Sequence, residues 1–502
     1  MKKCFVSLLV FLFLLAPPFA QDAQAGIIGK GDATGTPGEW YIGDEPTSIK
    51  SGSLPLVFVH GLNSSSKTWI DQNDMDELTY SKNYQTAYID LYPTKNMWDN
   101  GQLLASKLKE MNAYFGKKLI LVTHSKGGVD AQAAIVHANA QQYVDKVITL
   151  STPHQGSQLA DLAHSSWAGW LAAIIGNRND ATYSLQTGYM SYFRSVTDSK
   201  PNISATPYYT FGGTSWGSFG GALYWGGLYL RPYGPNDGAV TVNSSRLSYG
   251  NEIRVGNWDH SSIRTGSATF NLFEPYLTQS LPAMAPLSLN EVAEPDEASV
   301  LIRGGEFSGT KVERIQIEPN TKSIAIDWMS QNKDSVITLQ GPDQKTYSIT
   351  NTSQDNGMFE GAFHHQMKVN TPTAGTWKLK VKQPKKESYL MQVAYESELN
   401  EDLQMEMVHA KEVKLQVDKT KINQKSIEGS IVIQYSQNGK SKQKKLSQEE
   451  FNSLSSFPIK HAGEGVYHIM LDVNGKTTKG ASFERTILHT IYMDANGKVY
   501  QP

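Results

Sequence analysis

Four apolar residues, Leu119-Ile120-Leu121-Val122, run without a spacer into Thr123-His124-Ser125-Lys126-Gly127-Gly128, and an alanine-rich stretch at residues 127–138 follows at once. A continuous apolar run of this length suits a strand buried on both faces of a parallel sheet. Val129, Ala133 and Val136 recur at helical spacing, as a crossover helix requires. A strand fed into a helix through one tight turn restricts the fold strongly, because the helix must pack back onto the sheet that delivered it. The same texture recurs in Leu56-Val57-Phe58-Val59 and in Val147-Ile148-Thr149-Leu150, within residues 55–255.

At 502 residues the chain exceeds what one hydrophobic core supports, and about three domains are expected. Lys2 and Lys3 precede the apolar run from Phe5 to Leu15, and Ala23-Gln24-Ala25 offers small residues for cleavage. Residues 1–25 are therefore expected to be a secretory signal peptide, and the product is expected to be secreted and extracellular, with Gly26 first. The apolar run is shorter than the ~20 residues of a membrane span and no longer one follows, so the mature chain is expected to carry no transmembrane anchor. Cys4, the only cysteine, precedes the cleavage point, which leaves oxygen and nitrogen groups to carry any chemistry. A formal net charge of −2 provides no basic field, and no nucleic-acid partner is expected.

Residues 26–281 are assigned to the α/β domain. Pro282, Pro286, Glu291, Glu294 and Pro295 then break the pattern, giving a linker at 282–299. Beyond it the period changes to two, as in Ser323-Ile324-Ala325-Ile326-Asp327-Trp328 and Thr376-Trp377-Lys378-Leu379-Lys380-Val381. The style continues in Ser430-Ile431-Val432-Ile433-Gln434-Tyr435 and Val466-Tyr467-His468-Ile469-Met470-Leu471. Two all-β sandwich modules are expected, at 300–395 and 396–502.

Ser125 stands in the turn between strand and helix with small residues two positions to each side, the arrangement that presents a serine nucleophile. Thr123 replaces the first glycine of the G-x-S-x-G pattern. A serine acting on a carbonyl needs preorganised N–H donors for the oxyanion. The backbone N–H groups of Lys126 and of Leu62, in the strand end Val59-His60-Gly61-Leu62, are assigned to that role. The chain order serine, acid, histidine puts the base beyond Ser125. His137 falls inside the helix, His154 follows the very next strand and His164 lies in a polar-apolar segment, which leaves His260. Asp237, in the loop Pro235-Asn236-Asp237-Gly238, is the chosen acid, and Asp259 competes with it although its adjacency to His260 makes the geometry awkward.

These motifs, with Ser151-Thr152-Pro153-His154-Gln155-Gly156-Ser157, Asn236-Asp237-Gly238-Ala239-Val240 and Trp258-Asp259-His260, resemble in order the secreted bacterial lipases and esterases of the α/β-hydrolase superfamily, over residues 50–265. The resemblance implies an α/β-hydrolase fold, a mostly parallel sheet flanked by helices, and a triad of Ser125, Asp237 and His260 with Thr152-Pro153-His154 in the pocket wall. Some lipases of this kind bind calcium through an aspartate shortly after the histidine. Ser261 and Ser262 stand there, so calcium is not carried over and is left open; no other cofactor and no metal are expected. Gly465-Val466-Tyr467-His468-Ile469 resembles Ig-like modules of secreted proteins, and Ala374-Gly375-Thr376-Trp377-Lys378-Leu379 the closing strand of small sandwich modules.

Residues 167–176 are the most apolar run past the signal peptide, suited equally to a lid that docks on lipid and to a core helix. Residues 216–233, rich in aromatics and glycine, would line the same mouth or simply pack as a hairpin. His60, Gly61, His124, Trp167 and Trp170 are assigned to substrate contacts. The expected substrate is an ester or lipid met at a lipid–water or polymer interface. Triacylglycerol or carboxylester hydrolysis leads, polyester depolymerisation on an insoluble polymer is the alternative, and a non-catalytic adhesin is disfavoured by the complete triad.

Overall fold

The computed structural model describes residues 34–278 and 299–502, apart from 176–177, 222, 350, 356, 409–410, 438–439 and 447–455. The expected signal peptide, Cys4 and nearly all of the expected linker lie outside the described residues.

Seven strands form the first sheet: β1 (Trp40–Ile42), β2 (Leu56–Val59), β3 (Thr86–Ile89), β4 (Leu119–His124), β5 (Val144–Leu150), β6 (Tyr208–Gly213) and β7 (Asn251–Gly256). Their order is β1-β3-β2-β4-β5-β6-β7, parallel throughout except for β1 on β3. The apolar runs singled out in the sequence are β2, β4 and β5. Every residue of β2 and β4 is buried, as their uninterrupted apolar character requires. One face packs Val57, Leu121 and Val147 under the helices Met97–Phe115 and Lys126–His137, and the other packs Phe58, Val122 and Phe211 under Gly266–Thr278. The helix Met97–Phe115 starts at Asn96, whose side chain accepts from Trp98 and Asp99 N–H, and stops at Gly116 in the left-handed region.

Beyond residue 299 the strands of the described residues all pair antiparallel, with two short 3-10 turns among them. The strands β8 (Val300–Ile317), β9 (Ser323–Ser330), β10 (Val336–Gln340), β11 (Thr346–Ser348), β12 (Asn351–Gln354), β13 (Phe363–Asn370) and β14 (Gly375–Glu396) make one connected sheet. The 22-residue β14 pairs with β10 along its first part and β9 along its second, with an irregularity between Gln383 and Glu387 that lets it turn a corner. A two-residue period predicts strands but not this sharing. Residues 403–500 form a three-stranded and a five-stranded sheet around a common core containing Val413, Phe457, Ile469 and Ile487.

The β region packs against the α/β domain. Leu159, Leu171, Trp225 and Leu230 from one side share a buried cluster with Ile302, Phe359, Leu390 and Met470 from the other. Hydrogen bonds cross the seam from Gln434 Nε2 to the His164 carbonyl at 2.8 Å, from Tyr183 to the Ser436 carbonyl at 2.9 Å, and between the Thr187 and Thr490 hydroxyls at 2.7 Å. The helix Gly169–Ile175, inside the run expected to be lid or core helix, lies in this seam with Ala168, Leu171 and Ala172 fully buried.

The fully buried Arg485 joins the two β units. It pairs with the Glu318 carboxylate, donates to Asn400 Oδ1 at 3.0 and 3.2 Å, and lies 3.8 Å over the Tyr395 ring. Glu318→Ala would leave the guanidinium buried without its counter-charge. We expect this substitution to destabilise the β region by about 3–5 kcal/mol, read as a lower denaturant midpoint. A change no larger than for an exposed glutamate would show that the pair contributes little.

Candidate active site

Ser125 occupies the tight turn between β4 and the helix Lys126–His137, with φ 54° and ψ −134°, a left-handed backbone that a non-glycine residue adopts only under constraint. The constraint is visible in its neighbours. A Cβ on Gly127 would overlap the His60 carbonyl oxygen, and one on Gly128 would overlap the Thr152 side chain. Thr123 is tolerated where the pattern has glycine because its hydroxyl is buried and donates to the Ile148 carbonyl at 3.1 Å.

The Ser125 Oγ lies 3.0 Å from His260 Nε2, and His260 Nδ1 lies 2.7 Å from Asp237 Oδ2. Asp237 is fully buried, and its second oxygen accepts from the N–H groups of Ala239 at 3.0 Å and Val240 at 2.7 Å. Its backbone carbonyl also accepts from His260 N–H at 3.0 Å, so acid and histidine are held at both ends. Asp259 faces elsewhere, its carboxylate accepting from Ser261 and Ser262 N–H and capping a single turn of helix. The structure therefore brings Ser125, His260 and Asp237 together and leaves Asp259 outside.

The five residues assigned to substrate contacts scatter. Gly61 stays at the site: a Cβ there would come within 2.8 Å of the Ser125 Cβ. His124 sits behind it, with Nε2 2.7 Å from the His260 carbonyl oxygen and its ring 4.7 Å from the His260 ring. Trp170 is 53% exposed, and Trp167 lines a crevice with Arg303 and Asp472, so neither reaches Ser125.

His60 points away from the pocket. Its Nε2 accepts from the Leu91 N–H at 2.9 Å, and a backbone N–H can only donate, so the proton of the neutral ring is on Nδ1 and goes to the Gly61 carbonyl, 2.9 Å away. Burial pushes the His60 pKa down to about 4, which keeps the ring neutral. The Gly61 carbonyl and the Leu62 N–H belong to one trans peptide and point in opposite directions. Holding the carbonyl beneath the loop turns the N–H of the pocket-lining Leu62 the other way, and His60 is a support for this peptide rather than a substrate contact. Lys126 is likewise buried and bonds Asp130 at 2.6 and 2.8 Å, and Asp130 accepts from Asn100 at 2.9 Å. Burial pushes Lys126 down and Asp130 up in pKa, and each opposes the other's shift.

The cavity at Ser125 and His260 is apolar, walled by Leu62, Pro153, Leu159, Leu185, Leu223 and Val240. Of Thr152-Pro153-His154, only Pro153 lines the wall; Thr152 and His154 are buried outside it. Three further lining residues, Asp355, Gly357 and Met358, come from the β region, and Trp225 supports them from the α/β domain. No local signal in the sequence marks Asp355, Gly357 or Met358, whereas Trp225 and Leu223 fall in the aromatic and glycine-rich stretch 216–233, which lines the cavity and carries the helix Tyr224–Leu230 rather than a hairpin. The cavity holds about 50 Å³, far below the ~300–1,000 Å³ of ordinary ligand pockets. Among the described residues, no three His, Cys, Asp or Glu side chains are grouped to hold a metal ion.

Residues 102–167 match the family model for the PGAP1-like alpha/beta domain. The chain is 41% identical to the lipase BlEst2 of Bacillus licheniformis in its propeptide form, with 93% of this chain and all of that one aligned at a TM-score of 0.83. It is 54% identical to the mature form of the same lipase over 49% of this chain and all of that one, with a TM-score of 0.47. It is also 35% identical over 138 residues to triacylglycerol lipase 2 of Saccharomyces cerevisiae, which takes in 26% of this chain and spans only 40% of the yeast protein.

The His60 geometry yields a discriminating pair of variants. Asparagine keeps an N–H donor near the Nδ1 position, whereas glutamine carries its amide farther out. We expect His60→Gln to lower kcat by on the order of 10²-fold with little change in KM, as for loss of one oxyanion donor, and His60→Asn to recover much of the loss. Equal kinetics for the two variants would rule out the clamp.

Proposed function

Because the chain belongs to the bacterial lipases of the α/β-hydrolase superfamily and is a carboxylic ester hydrolase, we propose that Ser125, His260 and Asp237 act as one catalytic unit through an acyl-enzyme. The observation that carries this reading is the unbroken chain Ser125 Oγ, His260 ring, Asp237 carboxylate at 3.0 and 2.7 Å, ending on a fully buried acid. Ser125 Oγ attacks the ester carbonyl while His260 Nε2 takes its proton, and Asp237 stabilises the imidazolium. The oxyanion is received by the Leu62 and Lys126 backbone N–H groups. His260 returns the proton to the leaving alcohol, and water, activated by the same ring, releases the acid. The apolar walls favour acylglycerols and other esters with an apolar acyl group.

The β region is read as a propeptide-like cover. The relative aligned over 93% of this chain is a propeptide form, a share that the α/β domain alone cannot supply, and residues 357–358 help close a cavity too small for a lipid. This position argues against modules that tether an open enzyme to a polymer, since a tether would leave the mouth clear. Secretion under the signal peptide at residues 1–25 fits such a latent enzyme.

Asp237→Asn is expected to lower ester turnover by on the order of 10⁴-fold with folding intact, and Asp259→Asn to change it far less. Adding Asp237→Asn to Ser125→Ala should cost little more, because residues of one unit are not additive. Near-wild-type turnover for Asp237→Asn would refute the assignment. Limited proteolysis of the full chain is expected to raise turnover of a long-chain ester by at least tenfold, a barrier difference of about 1.4 kcal/mol. Unchanged turnover after the β region has been released would refute the cover.

A further inference from the structure

Residues 357–362 form the turn that reaches the catalytic cavity, and what anchors it is a buried array of charges. Asp355, at the base of the turn, accepts from the Gly357 and Phe359 N–H groups through Oδ1, at 2.6 and 3.0 Å. Its Oδ2 accepts from Trp225 Nε1 of the α/β domain at 3.1 Å and lies 3.1 Å from His364 Nε2. The other ring nitrogen of His364, Nδ1, is 2.8 Å from Asp327 Oδ2. With carboxylates at both nitrogens the ring carries two protons and a positive charge. The Trp225 ring stacks on it at 5.1 Å and 26°, and Phe359 packs edge-on against the same indole at 5.4 Å. One tryptophan of the α/β domain thus meets the imidazolium, its carboxylate and the apolar side of the turn.

We propose that His364, clamped between Asp327 and Asp355 and capped by Trp225, is a pH-sensitive latch that holds the 357–362 turn over Ser125 and releases it when the ring loses a proton. This deepens the reading of the β region as a cover and rests on it. The two carboxylates are not equal. Asp327, on β9, has Oδ1 buried without a partner among the described residues, so His364 is the support of its charge. Asp355 is supported besides the ring by the N–H groups of Trp225, Gly357 and Phe359. On deprotonation the remaining proton stays on Nδ1, facing Asp327, and the lone pair of Nε2 faces the Asp355 carboxylate. A buried carboxylate against a lone pair is repelled, and because Asp327 is fixed in β9, paired on both sides, the displacement falls on Asp355 and the turn.

Other groups around the ring do not compete for this role. His365, next on β13, turns its Nε2 to the Asn332 carbonyl at 2.8 Å, and burial lowers its pKa, so it is neutral where the latch acts. Glu387 of β14 is occupied by Trp328, Asn332 and Ser335. Burial alone would push the His364 pKa down, but Asp327 and then Asp355 outweigh it and raise it to about 9. A raised histidine value stabilises the docked state fully below the ordinary value of 6.5 and loses that contribution as pH rises through about 9. The latch is closed at neutral pH and opens on the alkaline side.

The test is the rate at which a fluorophosphonate labels Ser125 between pH 7 and pH 10, on the intact full chain, the same chain after limited proteolysis, and full-length Asp355→Asn. The intact wild type should start slowly and accelerate on the order of tenfold relative to the proteolysed protein as pH passes 9, reversibly on return to pH 7. Asp355→Asn should lack this extra rise. A wild-type chain that labels slowly at every pH while its proteolysed form labels fast overturns the latch and leaves the cover standing. Intact and proteolysed chains that label alike at pH 7 overturn the cover itself. The wild-type comparison needs no variant, so misfolding of Asp355→Asn does not rescue the proposal. As a second reading, amide exchange of residues 357–362, corrected for intrinsic rate, should rise with the labelling; exchange unchanged up to pH 10 overturns the latch.

Discussion

The site depends on one close approach, that of the Ser125 turn to the end of β2. Gly127 lies so near the His60 carbonyl that no side chain fits, and Gly61 lies so near Ser125 that the two strand ends share a wall. This contact forces the serine into left-handed backbone, brings the Leu62 peptide beside it, and leaves His60 room only underneath. Polar groups then fix what packing has placed. The Leu91 N–H sets the His60 tautomer, and the Ala239 and Val240 N–H groups set the Asp237 carboxylate. Each support is a backbone donor with a direction fixed by the fold, so little reorganisation is left for the reaction to drive.

Legibility in the sequence followed the range of the interaction that decides each residue. The Ser125 turn could be found because its demands are local: an apolar run, small residues and a helix within twenty positions. His260 and Asp237 were reached through chain order, and the competition with Asp259 is decided by something equally local, its capping of residues 261 and 262. His60 was assigned to substrate contact because a histidine at a strand end offers the same letter whether its ring faces a cavity or the backbone of residue 91. Trp167 and Trp170 belong to a real apolar helix, but what that helix covers is settled by strands far downstream. Asp355 and Met358 carry no local signal for the same reason, and the stretch 216–233 points to the mouth without singling out Trp225. Each has an ordinary local reading, as helix aromatic, turn aspartate or core methionine, and only tertiary packing gathers them at Ser125.

The β region shows how one element can serve two structural purposes. Its core-forming strands are stable through ordinary apolar packing, with Trp328 and Trp377 fully buried. The turn at 357–362 is attached by the Asp355–His364–Asp327 array and by Phe359 and Ala362, which pack in the seam cluster with Met329 and Leu390 rather than in that core.

The seam also has an order in time. The helix Thr187–Asp198 meets the strand Ser482–Met493 so closely that a Cβ on Gly188 would fall 2.6 Å from the Ile491 carbonyl carbon. A chain made from its N-terminus exposes the whole α/β sheet, with Ser125, Asp237 and His260, well before Ile491 leaves the ribosome. The surface that the β region covers is therefore made first and stays bare until the later strands emerge, and whatever attends the chain during synthesis meets that surface first.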